Sequence, residues 1–228
     1  MKRSLLERLY RTPVGRLMSS VARAWARLHR PFMVYGYYDH GSKSFRKYTR
    51  ISSDVVILNE RELSVGEDVW VWHHTILDAT EGLTIGDGCQ IGAWVGIFTH
   101  GSENSIRLLG KQFVHIHNTE RMGYSRSRVE IGAYTFIGAG SVVLPGVTLG
   151  RGCLIAAGTL LTKSVPDYSI VAGVPGRIKG STLETDERFF REQDYSSTYY
   201  DAEALQEIRN RLKESEEHAH QSENGGSD

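Results

Sequence analysis

The chain has little cysteine, little proline, no net charge and no long apolar run. Of 228 residues only Cys89 and Cys153 are cysteines. Two thiols so far apart make no metal motif, and a small buried thiol in a packing slot is the reading for each. A reducing compartment, the cytoplasm, is the natural expectation. Lys plus Arg and Asp plus Glu both total 27, so there is no whole-chain case for binding nucleic acid. No stretch is long and apolar enough to span a bilayer. Near the N-terminus Arg16 and Arg23 interrupt the unbroken apolar run that a signal peptide needs. The five prolines are unremarkable, whereas the 24 glycines suit a fold rich in turns.

What is present is a beat of six. From Ile131 it lands on Ile131, Ile137, Val143, Leu149, Ile155 and Leu161. Four residues after each stand Thr135, Ser141, Val147, Cys153, Thr159 and Val165, all small or β-branched. A helix would repeat near 3.6 and a half-buried strand at 2. A strict six, with Gly132, Gly138 and Gly150 just after the aliphatic, means short strands joined by repeated turns, the signature of a parallel β-helix. The same phase runs upstream through Val65, Val71 and Leu77, then Ile85, Ile91 and Ile97, with Cys89 and Val95 in the fourth place. Between Leu77 and Ile85 the step is eight, a bulge at Ala79–Gly82. Ile51 and Ile57 extend the phase as a ragged first turn. Three hexads make one triangular coil, and coils stack at about 4.8 Å. Four to five coils give a prism roughly 20–25 Å long.

The register breaks heavily once. From Ile97 to Ile131 is 34 residues rather than six, which inserts a loop over about 102–128. Its aromatics, two His and several Arg are poor disorder composition, and loops this long inside a compact domain are usually functional or disordered. It begins directly after Thr99-His100.

The flanks differ from the middle. Residues 1–50 form a basic amphipathic segment. Residues 2–30 hold Lys2, Arg3, Arg8, Arg11, Arg16, Arg23, Arg27 and Arg30 against Glu7, with Leu5, Leu6, Leu9, Leu17, Val21, Trp25 and Leu28 at helical spacings broken at Pro13-Val14-Gly15. Peripheral contact with an anionic membrane face through residues 2–30 and packing of a helix on the prism are both open readings. Residues 181–213 read as a helical extension, with helices over Thr185–Gln193 and Asp201–Lys213. In the second, Leu205, Ile208 and Leu212 share a face and Asp201 caps the start. Residues 214–228, polar and acidic, read as a disordered tail.

The run from Ile137 to Gly150 (IGAGSVVLPGVTLG), followed by Leu161-Thr-Lys-Ser-Val-Pro166 and Val171-Ala-Gly-Val-Pro-Gly-Arg177, resembles the hexapeptide-repeat acyltransferases, in particular the maltose, galactoside and cell-envelope glycan O-acetyltransferases. The likeness covers about residues 63–180. It implies a mainly β fold, a left-handed parallel β-helix catalytic domain over 51–180. It also implies a homotrimer and transfer of an acetyl or related acyl group from coenzyme A to a sugar or glycan acceptor, with acetyl-CoA as the donor and no metal. Where this sequence matches the family's motifs, His100 is the general base and the Ala139 amide holds the oxyanion. Ala139, Ala157, Thr162 and Lys163 wall the pantetheine groove. Lys163, Arg177 and Lys179 can meet the nucleotide phosphates as cations. The chemistry of His100 agrees, because an alcohol needs a base and imidazole titrates near the working pH. Glu103 and Asn104 are candidates for binding the acceptor, and Glu103 also for orienting the imidazole. Trp70, Trp72 and Trp94 fall on outward positions, where packing between subunits is the first use to consider.

Three rivals remain open at this point. One is an N-acyltransferase acting on an amino sugar or serine. Another is a zinc carbonic anhydrase of the same fold, which would draw three ligands from His73, His74, His100, His115 and His117. The last is a β-helix scaffold without activity.

Overall fold

A computed structural model of the protein describes residues 12–192, 205, 206, 208–210, 213 and 214. The repeat folds as expected. Parallel strands stack into three faces, and each face carries one column of inward aliphatics. Face A pairs Ile51, Val71, Ile91, Ile137, Ile155 and Val171 in that order. Face B pairs Ile57, Leu77, Ile97, Val143 and Leu161. Face C pairs Val65, Ile85, Ile131, Leu149 and, by an isolated bridge, Val165. The chain therefore winds five coils, and Ile51 and Ile57 begin the first. Nearly all of these aliphatics are fully buried in one continuous core. Each coil covers its neighbours, which no coil could do alone. Val165 departs from the hexad count: it holds an inward place on face C, because the last corner of that kind is short.

The fourth position has a physical reason to be small and often polar. Thr75 Oγ1 donates to Gly92 O (2.9 Å), Thr135 Oγ1 to Gly150 O (2.8 Å) and Ser141 Oγ to Ala156 O (3.1 Å), each reaching the next coil. Cys89 Sγ and Cys153 Sγ make the same link to Gly132 O and Pro166 O, both at 3.2 Å. Both cysteines are buried and free. Burial pushes the Cys89 thiol up to about 11 and raises that of Cys153. They are packing residues, as the periodicity indicates, and poor nucleophiles.

The corners are not equivalent. Every step from face A to face B, or from face C to face A, is six residues. From face B to face C the steps are eight, eight, 34, six and four. All irregularity is gathered along the B–C edge.

At the N-terminal side, helix α1 (Pro13–Leu28) starts where the amphipathic pattern breaks. Pro13 suits the first helical position, and Thr12 Oγ1 accepts from Gly15 N at 3.1 Å as a cap. Residues 1–11, with Lys2, Arg3, Arg8 and Arg11, lie outside the described residues. Strands β1 (Met33–Asp39) and β2 (Ser44–Ser52) form an antiparallel hairpin, and the end of β2 is the first strand of face A. At the other side the strand Arg177–Ser181 pairs antiparallel with Ser169–Ala172. Helix α3 spans Thr182–Glu192, beginning three residues before the expected start. Of the second expected helix, Leu205 and Ile208 are helical and partly buried, while Asp201 and Leu212 lie outside the described residues, as do 215–228 of the expected tail. Ile208 packs back on the prism over a cavity of about 300 Å³, lined also by Phe136, Leu154, Tyr168 and Asp186. Among the described residues no helix is long and apolar enough to cross a membrane.

Candidate functional site

His100 stands on the B–C edge, where the third coil leaves its register. His100 and Gly101 pair antiparallel with Arg126 and Ser125, so a two-residue ribbon closes the long loop at its base. Beyond the ribbon the loop is ordered. It contains helix α2 (Glu103–Leu109) and two short 3₁₀ turns, pinned by buried Ser105, whose Oγ donates to Met122 O at 2.8 Å.

Beneath His100 lies a residue that the sequence reading did not single out. Asp78, at the corner of the coil below, has a fully buried carboxylate with Oδ2 2.7 Å from His100 Nδ1. The separation is of hydrogen-bond length, although the ring N–H is not aligned for a full hydrogen bond. Asp78 Oδ2 also accepts from Thr99 N (2.8 Å) and Thr99 Oγ1 (3.1 Å), and Oδ1 from Thr80 N (3.0 Å) and Thr80 Oγ1 (2.5 Å). Burial alone would raise its pKa, but the hydrogen bonds from Thr80 and Thr99 and the adjacent imidazole hold it below the usual carboxylate range. An ionised carboxylate at Nδ1 favours the proton there and leaves Nε2 as the basic nitrogen. The imidazole is partly exposed and stacks on Tyr124 of the loop, with centroids 5.8 Å apart and rings 10° from parallel. Arg126 lies over the same Tyr124 ring at 4.9 Å and meets Glu81 Oε1 at 3.0 Å. Its Nη2 is enclosed and has no partner among the described residues.

The other expected residues divide between two edges and the last strand of face A. Thr162 and Lys163 share the B–C edge with His100, two coils further on, and both are exposed. Ala139 and Ala157 lie in successive coils of the A–B edge, where Gly158 N donates to Ala139 O at 2.9 Å. Both alanines are exposed, and among the described residues no backbone acceptor takes the N–H of either. A Cβ added at Gly140 or Gly158 would meet nothing within 4 Å, so this strip is open as well as narrow. Arg177 and Lys179 are exposed on the final edge strand of face A. One prism therefore does not bring His100 and Ala139 together.

Glu103 and Asn104 begin α2 and are engaged within the loop. Glu103 Oε1 accepts from Ser125 Oγ (3.0 Å) and Asn104 Oδ1 from Arg107 Nη2 (2.6 Å). The carboxylate at the imidazole is Asp78, not Glu103.

The A–B edge of the first two coils holds a second imidazole–carboxylate pair. His74 Nδ1 is 2.6 Å from Asp54 Oδ2, and the His74 ring stacks on Trp94 at 5.7 Å. His73 Nδ1 lies 2.6 Å from Ser52 Oγ. His74 and Trp94 both take positive φ, in places that Gly140 and Gly158 fill in later coils. The five histidines considered for zinc are thus spread over the A–B edge, the B–C edge and the loop. Among the described residues no three His, Cys, Asp or Glu are grouped to hold a metal ion.

Comparison with known proteins agrees with the coiled fold. Residues 128–163 match the family described as bacterial transferase hexapeptide (six repeats). The chain is similar to the galactoside O-acetyltransferase of Lactococcus lactis subsp. lactis, 31% identical over 49% of this chain and 49% of that one. It is also similar to nodulation protein L of Rhizobium meliloti, 32% identical over 52% and 59%, and to a serine acetyltransferase of Bacillus pumilus, 33% identical over 45% and 41%. The chain spans about half the length of the curated relatives it matches. A solved galactoside acetyltransferase in complex with coenzyme A aligns with a TM-score of 0.50 at 23% identity, covering 64% of this chain and 66% of that one, a likeness of fold. The repeat region is a parallel β-helix of hexapeptide repeats, and residues 128–163 of it are similar to the bacterial transferase hexapeptide family.

Proposed function

We propose that the protein is a coenzyme A-dependent O-acetyltransferase that moves an acetyl group from acetyl-CoA to a hydroxyl of a sugar or surface glycan. The observation that carries this reading is His100, partly exposed where coil meets loop, with the buried, ionised Asp78 at its Nδ1. Similarity to a galactoside O-acetyltransferase supports both the reaction and the acceptor class.

In this mechanism His100 Nε2 accepts the proton of the acceptor hydroxyl as its oxygen bonds to the acetyl carbon. His100 then gives the proton to the thiolate released when the C–S bond breaks. Asp78 holds the ring and stabilises the imidazolium between those events. The Ala139 N–H, which no backbone acceptor among the described residues engages, donates to the developing oxyanion. The open strip along Ala139 and Ala157 fits a thin, extended donor arm. Thr162 continues the groove wall on the other edge, while Lys163, Arg177 and Lys179 supply cations for phosphates. Base and amide lie on different edges, so the site is completed between copies of the chain, the A–B edge of one against the B–C edge of the next in a homotrimer. Glu103 and Asn104, at the mouth of the loop, face the acceptor. The cytoplasm is the compartment that suits two free thiols.

The test is thiol release from acetyl-CoA across sugars, nucleotide sugars, oligosaccharides and serine, the last because a serine acetyltransferase is among the relatives. His100→Ala is expected to lower turnover by about 10²–10⁴-fold while coenzyme A binding is kept. Full activity in that variant would end the proposal. No release with any acceptor, together with no coenzyme A binding, would favour the scaffold.

A further inference from the structure

Helix α1 stands in contrast to the prism. Its large apolar residues Val14, Leu17, Met18, Val21, Trp25 and Leu28 are 42–78% exposed. Their spacings of three, four and seven put them on one stripe. Phe32 and, on the hairpin that follows, Tyr35, Phe45 and Tyr48 are also exposed. A stripe of this kind needs an occupant.

Charge distinguishes the possible occupants. The first fifty residues hold twelve Lys or Arg and two acids, Glu7 and Asp39, in a chain whose totals are 27 and 27. Between those two acids lie Arg8, Arg11, Arg16, Arg23, Arg27 and Arg30 and no acid at all. Pairing this helix with its copy would bring such segments together with no acid to answer them. An anionic bilayer answers both features at once: its headgroups meet the arginines and its acyl boundary takes the stripe. Trp25, Phe32 and Tyr35 are residue types that favour that boundary.

We propose that α1 is an in-plane anchor that docks the protein on an anionic phospholipid surface. The helix joins the prism through the β1–β2 hairpin, so the first coil is the end held nearest the bilayer. The proposal does not rest on the acetyltransferase reading.

The test is co-sedimentation of the full chain with vesicles of phosphatidylcholine alone and of phosphatidylcholine mixed equally with phosphatidylglycerol. Binding is expected only to the anionic vesicles and is weakened by salt. Val21→Glu is expected to lower the partition coefficient at least tenfold. Arg23→Gln with Arg27→Gln, which leaves the stripe intact, lowers it by about tenfold or more. Thermal melting of the prism should not move in either variant, which separates lost docking from lost folding. Three outcomes overturn the proposal. They are no binding to anionic vesicles, equal binding to both kinds, and a Val21→Glu protein that binds as before or changes its oligomeric state instead, since the last would make a second copy the occupant.

Discussion

The A–B and B–C edges are built on the same stack of strands and behave in opposite ways. Every A–B corner takes six residues, while the B–C corners take eight, eight, 34, six and four. At the A–B edge backbone rests on backbone. A Cβ at Gly138 would lie 2.4 Å from Ala157 N, and one at Gly92 would lie 2.7 Å from Ala139 N. A side chain at Gly138 or Gly92 would part the coils, whereas the rim of the same edge at Gly140 and Gly158 is open. At the B–C edge side chains hold the corner instead. Buried Asp78 gathers Thr80, Thr99 and the partly exposed His100 into one network, and the length of the corner differs from coil to coil. The edge that tolerates insertion is therefore the one that carries His100 and a loop of its own. The other edge, smooth and open, suits a ligand lying close to the backbone.

Inserting two residues tests this contrast with the largest expected effect. Two glycines between Ala139 and Gly140 should lower stability by about 2–3 kcal/mol, because they separate two bonds that seat neighbouring coils, from Gly140 N to Ala93 O and from Gly158 N to Ala139 O. Two glycines between Pro145 and Gly146, on the B–C edge of the same coil, should cost about 1 kcal/mol, the scale of a lengthened loop. Chemical denaturation of both proteins gives the comparison. Equal losses would mean that the edges do not differ in tolerance.

Much of this was legible in the residues, and for definite reasons. An inward aliphatic every six positions is what a triangular coil requires, so the faces, the first coil at Ile51 and the packing role of Cys89 and Cys153 follow from spacing. The loop also showed, as the place where the beat stops, and it pointed to His100. Asp78 did not show, because it lies 22 residues before His100 and only the stacking of one coil on the next brings them together. The only trace is distance, since Asp54 precedes His74 by 20 residues and both spans are about one coil at this end of the prism. Glu103, near His100 in sequence, was one candidate to orient it beside its reading as a surface residue. In the fold it turns to Ser125. The division of His100 and Ala139 between edges was equally hidden, because the period alone does not say which corner each residue occupies.

A second, smaller effect separates the edges by pH. The Asp78 carboxyl is held below its ordinary range by hydrogen bonds that outweigh burial. A depressed folded pKa gives stability that is present above the unfolded value, near pH 4, and lost as pH falls through the folded value. Thermal stability should thus be level above about pH 5 and fall below about pH 4. Amide exchange at Thr80 and Thr99 should quicken there before exchange at Gly140 and Gly158, whose bonds run backbone to backbone. Asp78→Asn should lower stability at neutral pH by about 1–3 kcal/mol and flatten part of the acid fall. An unchanged acid limb in that variant would place the titrating group elsewhere; Asp39, also buried and also lowered by its hydrogen bonds to Ser42 and Arg46, is the next candidate.

The smallest effect concerns how the loop is attached. Arg126 meets Glu81 at 3.0 Å, but both side chains are partly exposed, and an ion pair in that setting contributes less than about 1 kcal/mol after screening. Arg126→Gln should therefore barely move the melting temperature. Its other contact, the face of Tyr124, which in turn stacks on His100, predicts a several-fold rise in KM for the acceptor with coenzyme A affinity unchanged. If stability instead fell by more than about 2 kcal/mol, beyond what an exposed pair supplies, the loop would be part of what holds the third coil closed. The B–C edge would then be as demanding as the A–B edge, reached through side chains rather than backbone.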